Sequence, residues 1–228
     1  MTSSAQSPHQ NVTFPSNGGT AHGYLTGEGP GVIVIQEWWG LTDHIASICD
    51  RLAAEGFTAL APDLYGGRTT HDADEAGELM MALPVDQAAR DLAGAVDFLL
   101  AKTGRSSVGT IGFCMGGGFV LLLAAQEGDK IAAAVPFYGV GPAVPKTYEG
   151  VTAAVQGHYA NQDGFYPVEQ AHAQEQQIRE ESGTDVEFCY YDAAHAFHND
   201  SNPIGTYDQA AARLAWDRAV AFLRARLG

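Results

Sequence analysis

The sequence predicts an α/β fold: a mostly parallel, doubly wound sheet preceded by an antiparallel hairpin. Three observations predict it. Short β-branched runs such as Val32 to Gln36 alternate along the chain with longer helical repeats such as Asp43 to Glu55. The runs are apolar throughout instead of alternating with polar residues, which is the pattern of strands covered on both faces. The first two runs differ: Val12 to Phe14 and Ala21 to Leu25 are separated by Asn17-Gly18-Gly19, a hairpin signal.

Taken in order, residues 1–10 are polar and read as a disordered tail, leaving 11–228 as one domain. After the hairpin, Val32 to Gln36 is a strand and Asp43 to Glu55 a helix closed by Gly56. Phe57 to Ala61 is the next strand. Residues 66–85 are the least regular stretch, and the acidic Thr69 to Glu78 reads as a surface excursion over one end of the sheet. Asp86 to Leu100 is a helix, Ser107 to Ile111 a strand and Gly116 to Gln126 a helix. Ile131 to Phe137 and Val151 to Gln156 are strands. Pro167 opens a helix reaching Glu181, because proline is tolerated in a first turn. Val186 to Tyr191 is the last strand. Gly205 to Leu227 closes the chain as a helix with Ala211, Leu214, Ala215, Ala219 and Phe222 on one face.

With 228 residues the chain is long enough to bury a full core. Its net charge of −15 argues against nucleic acid and anionic membrane surfaces as partners, since phosphate repels it. No run approaches the ~18 apolar residues of a membrane span, and Met1 to Gln10 lacks the basic-then-apolar order of a signal peptide. Three cysteines without disulfide spacing point to a reducing cytoplasm. Cys49, within the repeat Ile45, Ile48, Leu52, and Cys189, within the last strand, read as small core residues.

Cys114 is different. Gly112-Phe113-Cys114-Met115-Gly116 joins an apolar strand to an apolar helix and matches a nucleophile elbow with sulfur in place of the hydroxyl. The pattern predicts an exposed thiol at a helix N-terminus, where the dipole favours thiolate, with the next backbone N–H beside it. Read blandly, it is a small buried cysteine in an ordinary strand-to-helix turn.

Ligands of an open parallel sheet bind beyond the carboxyl ends of its strands. Three further polar residues fall there: Glu37 after Val32 to Gln36, Asp163 after Val151 to Gln156, and His195 after Val186 to Tyr191. The order nucleophile, acid, histidine is that of the α/β-hydrolase fold. A thiol needs a base, imidazole serves near neutrality, and a carboxylate fixes the tautomer of the imidazole. Each residue alone also has a plain reading. Asp163 in Asn161-Gln162-Asp163-Gly164 is a good turn residue, and His195 suits a surface loop. His195 and His198, three apart, suggest no third metal ligand, and the reading calls for no metal and no cofactor.

The chain resembles the dienelactone hydrolase family of the α/β-hydrolase superfamily. The resemblance rests on Gln36-Glu37-Trp38-Trp39-Gly40, Ala61-Pro62-Asp63-Leu64-Tyr65-Gly66-Gly67, Gly112-Phe113-Cys114-Met115-Gly116-Gly117 and Tyr191-Asp192-Ala193-Ala194-His195-Ala196-Phe197, in family order from about Val12 to the C-terminus. It implies a hydrolase of lactones or small carboxylic esters with a Cys114–Asp163–His195 triad and a thioester intermediate. It also implies that Glu37 pairs with the resting thiol, and that the N–H groups of Trp38 and Met115 form the oxyanion hole. A charged Glu37 beside a thiolate is costly, so one of the pair should hold the proton.

One departure stands out. Members acting on dienelactone carry carboxylate-clamping arginines, one of them four residues after the triad histidine. That position is Asn199 here, and Thr69 to Ala89 holds no arginine either. Asparagine cannot replace the charge of a guanidinium. A neutral lactone or ester is therefore the expected small-molecule partner, in a pocket lined by Trp39, Tyr65, Tyr138, Phe197, His198 and Asn199, though any one aromatic reads equally well as core. The protein is expected to be a monomer. The readings left open are a thioesterase or peptidase on the same fold, and a non-catalytic binding protein that has kept the scaffold.

Overall fold

A computed structural model describes residues 9–228. Of the expected tail at 1–10, residues 1–8 lie outside the described residues. Its last two positions are tied to the body, His9 Nε2 to Asp43 Oδ1 at 2.6 Å and Gln10 Nε2 to Asp63 Oδ2 at 2.6 Å.

Strand β1 (Val12–Ser16) and strand β2 (Gly19–Thr26) form the hairpin. Asn17 (φ 42°) and Gly18 (φ 77°) both sit in the left-handed region that a two-residue hairpin turn requires. The other strands are β3 (Gly31–Ile35), β4 (Thr58–Pro62), β5 (Val108–Phe113), β6 (Ile131–Phe137), β7 (Ala154–Ala160) and β8 (Val186–Tyr191). One eight-stranded sheet runs in the order β1-β2-β4-β3-β5-β6-β7-β8. β2 pairs antiparallel with β4, and all pairs from β4 to β8 are parallel.

Helices cover both faces. Val32 and Val34 pack with helix α1 (Asp43–Ala54) and helix α6 (Gln209–Leu227) on one side. Ile33 and Ile35 pack on the other with α3 (Val85–Thr103) and α4 (Met115–Glu127), and α5 (Val168–Ser182) adds Ala171 and Ile178 to that layer. Alternate residues of one strand therefore feed two cores, which is why β3 is apolar at every position. Among the described residues, no helix is long and apolar enough to cross a membrane.

Several boundaries shift by one to three residues, and three differences from expectation have a clear physical reason. β7 starts three residues later than the apolar run at Val151, because Val151 closes a turn onto Tyr148 instead (N to O, 3.0 Å). It then continues through polar residues because His158 is buried and paired with the Tyr191 hydroxyl at 2.8 Å. Residues 66–85 contain a helix, α2 (Ala73–Ala82), capped by Asp72, whose side chain accepts from Glu75 N at 2.9 Å. α6 starts after Asp208, whose carboxylate caps Ala211 N at 2.8 Å, and not at Gly205.

Candidate active site

The chain leaves β3 outward to β4 and then crosses back to β5 on the opposite side of β3. The strand order therefore reverses between β3 and β5, and a crevice opens beyond their carboxyl ends. Glu37 follows β3 and Cys114 follows β5, so the reversal puts both at one place.

Cys114 has φ 54° and ψ −119°, a conformation costing a side-chain-bearing residue about 1–3 kcal/mol. Fixed bonds hold it there. Its N–H donates to Phe137 O at 3.0 Å, and its carbonyl accepts from Gly117 N at 3.0 Å and Val140 N at 3.1 Å. The turn is possible because α4 starts against bare backbone: a Cβ on Gly116 would stand 2.3 Å from Ile35 O. Gly116→Ala is therefore expected to lower stability by about 1–3 kcal/mol or more, as overpacking does. Gly77→Ala on α2, where a Cβ meets nothing within 4 Å, should be neutral or slightly stabilising. Thermal unfolding of the two variants checks both.

The expected exposed thiolate is not what the fold provides. Cys114 is only 9 % exposed, and burial followed by the nearby Glu37 carboxylate pushes its thiol well up. The Met115 N–H, which donates to the sulfur, works in the opposite sense but is outweighed. Glu37 is itself buried and pushed up by that burial, offset in turn by His44, by Asn199 and by His195. Two such acids side by side favour a resting pair that holds at least one proton between them.

Asp163 and His195 meet at the ends of β7 and β8. His195 Nδ1 lies 2.7 Å from Asp163 Oδ2, and both side chains are buried. The other oxygen, Asp163 Oδ1, accepts from Phe165 N at 2.8 Å and Tyr166 N at 2.9 Å, which locks the carboxylate. Thr206 Oγ1 donates to His195 O at 2.5 Å and holds the histidine loop. An ionised carboxylate only accepts, so Nδ1 carries the proton and Nε2 is left with a lone pair.

Cys114, His195 and Glu37 share one cavity of about 90 Å³, walled by Trp38, Trp39, Met80, Val140, Phe165 and Ile204. Of the expected pocket residues only Trp39 lines it. Tyr65 is partly buried with its hydroxyl 3.5 Å from Met115 Sδ. Tyr138 and Phe197 are buried behind His195 as packing, their ring centroids 5.4 Å apart. The Tyr138 hydroxyl faces Glu37 but makes no hydrogen bond of ordinary geometry. His198 turns away from His195 and stacks on Phe113 at 5.2 Å. Asn199 is buried, its amide spent on Glu37 Oε2 at 2.5 Å. Phe197, His198 and Asn199 sit under the loops instead of over them, because β8 leads directly into a buried turn.

The sequence did not single out Met80, Phe165, Ile204 or His44. Met80 arrives on the unforeseen helix α2, and His44 reads as an ordinary first-turn residue of α1. Among the described residues, no group of three or more His, Cys, Asp or Glu is placed to hold a metal ion.

A sheet of this order with an elbow, an acid and a histidine at its carboxyl end defines an α/β-hydrolase. The family model of the dienelactone hydrolase family matches residues 20–227. Protein usf of Aquifex pyrophilus is 36% identical over 94% of this chain and 97% of its own length. A protein of Aquifex aeolicus, provisionally named a carboxymethylenebutenolidase, is 33% identical over 96% of this chain and 99% of its own. A crystal structure from Klebsiella pneumoniae, provisionally named a dienelactone hydrolase, superposes with a TM-score of 0.82 at 30% identity, covering 93% of this chain and 96% of that one. The chain belongs to the dienelactone hydrolase family and is a hydrolase of the carboxylic ester and lactone class.

Proposed function

We propose that this protein hydrolyses neutral lactones or small neutral esters, with Cys114 as nucleophile, His195 as base and Asp163 as its orienting acid. The observation that carries the reading is the 2.7 Å Asp163–His195 bond beside a cavity that also holds Cys114. In the resting enzyme Glu37 shares the thiol proton. As sulfur attacks the acyl carbon, His195 Nε2 accepts that proton and passes it to the leaving oxygen. The tetrahedral oxyanion sits on the N–H groups of Trp38 and Met115, each donor worth about 3–4 kcal/mol in such sites. The thioester that remains is cleaved by water, with His195 again the base. The direct test uses p-nitrophenyl acetate, rapid acid quenching and peptide mass spectrometry. An acetyl group on the Cys114 peptide is expected; turnover with no acyl-enzyme on Cys114 refutes the mechanism.

The preference for neutral substrates follows from the cavity wall, which among the described residues contains no lysine or arginine. Arg68, an obvious candidate clamp, faces Glu75 at 3.2 Å. Arg90 lies on the outer groove beside the hairpin. Placing a carboxylate next to Glu37 without a cation is costly. For a neutral ester and a carboxylate-bearing one of matched size, kcat/KM is expected to favour the neutral substrate by about tenfold or more, or about 1.4 kcal/mol. An anion preferred at low salt would reveal a clamp outside this wall.

A further inference from the structure

A separate cavity of about 260 Å³ opens between α1, the loop after β8 and the start of α6. Its walls include Arg51, His198, Asp200, Tyr207, Arg213 and Trp216, and it shares no lining residue with the catalytic cavity. The Arg51 guanidinium carbon lies 3.8 Å over the Trp216 ring. That stacking uses the flat face of the guanidinium and leaves its N–H edge available. Among the described residues, neither Arg51 nor Arg213 has a side-chain hydrogen bond or an ion pair. Arg68, Lys130, Arg179, Arg224 and Arg226, by contrast, each pair with a carboxylate. With 27 Asp and Glu against 12 Lys and Arg, acids are plentiful, yet these two arginines face one hollow with none in ion-pair reach. Burial works against the Arg51 charge, and Asp200, Tyr207, Asp217 and Glu55 offset that only in part. His198 is an independent sign of a ligand. It is 1 % exposed, both its ring nitrogens are buried without a partner, and it stands in the same wall. Buried polar atoms are ordinarily satisfied. Burial, and then the Arg51 charge, keep this imidazole neutral, with one N–H to give.

We propose that this cavity is a second small-molecule site and that it takes a small carboxylate, with Arg51 and Arg213 as its charged donors and His198 as its neutral one. A planar guanidinium edge matches a planar carboxylate. The charge balance also selects a single negative charge. The wall carries two guanidiniums against one carboxylate, Asp200, whose Oδ1 is already bonded to His44 Nδ1 at 2.9 Å. One added anion neutralises that excess, and a doubly charged phosphate overshoots it. Trp216, Tyr207 and Ala212 offer apolar surface to the body of the ligand. Carboxylates are, moreover, what a hydrolase of carboxylic esters and lactones releases. Binding here is independent of the role of Cys114.

The test is isothermal titration of sodium benzoate into the wild-type protein, Arg213→Gln and Arg51→Met at low salt, with benzamide and inorganic phosphate as comparison probes. Arg213 is exposed, so Arg213→Gln keeps the fold even if Arg51→Met does not. Methionine retains an apolar stem against Trp216 while removing the charge. Benzoate is expected to saturate the wild-type protein at one site and to bind each variant about tenfold or more weakly, the loss of a charge-assisted hydrogen bond. Benzamide, its uncharged isostere, and phosphate should both bind the wild-type protein more weakly than benzoate. Absence of saturable benzoate binding overturns the proposal. So does benzoate affinity that is unchanged in either folded variant, which puts the anion elsewhere. Benzamide binding as tightly as benzoate removes the role of charge, and phosphate binding more tightly than benzoate removes the carboxylate; either result overturns the proposal as well.

Discussion

Replacing Cys114 by alanine is expected to lower ester hydrolysis by a factor of about a thousand or more while the protein stays folded. The thiol contributes little packing at the cavity surface, and the strained backbone there is held by main-chain bonds that alanine also makes. Cys49→Ala and Cys189→Ala should keep most activity, since both thiols are buried away from the cavity. Activity of purified Cys114→Ala near the wild-type rate would move the nucleophile elsewhere.

The second large effect concerns the two histidines after β8. His195→Ala should cut kcat by several orders of magnitude, because nucleophile and base act as a unit. Its Nδ1 bond to Asp163 makes Asp163→Asn a milder version of the same lesion, through the wrong tautomer. His198 is expected to behave differently. Its ring is sandwiched among Phe113, Phe137 and Trp216, neither nitrogen has a partner, and burial holds its pKa well down. His198→Ala should therefore cost stability, about 2–5 kcal/mol as for other large core truncations. His198→Phe should be close to neutral, because it removes polar atoms that nothing satisfies. Kinetics and melting curves on the four variants separate the roles. A kinetic collapse in His198→Phe with His195→Ala active would exchange the assignments.

Much of this was legible in the sequence for a physical reason. β6 and β8 have the boundaries the apolar runs predict: charged Lys130, Asp185 and Asp192 bound three of the four ends, and at the fourth Tyr138 leaves the strand with φ 37°. The elbow was legible because a short glycine-flanked pattern marks it: Gly112 avoids a collision with the turn's own Gly116, and Gly116 one with the neighbouring strand at Ile35. Asp163 and His195 were found by their positions at strand ends, which the parallel topology brings together. What was not legible depends on which side of a loop faces inward. Tyr138 and Phe197 have the same composition whether they line a cavity or support it. Asn199 and His44 differ from surface residues only in what folds over them. Helix α2 was hidden by its acidic first turn, although Asp72 followed by Glu75 is a cap signature.

The anchoring of Asp163 also limits how the enzyme can adapt to its guests. The N–H of Phe165 holds the acid, and the Phe165 ring, 63 % exposed, forms part of the cavity wall and lies 4.9 Å from the His195 ring. Roof and acid are thus one short piece of chain. A substrate too wide for the cavity must push Phe165 outward, and the residue that moves is bonded to Asp163, which on the proposed mechanism aims His195. On the proposed mechanism, size discrimination is therefore expected in rate more than in affinity: a bulky ester should bind and then wait, its carbonyl in place and the imidazole out of line.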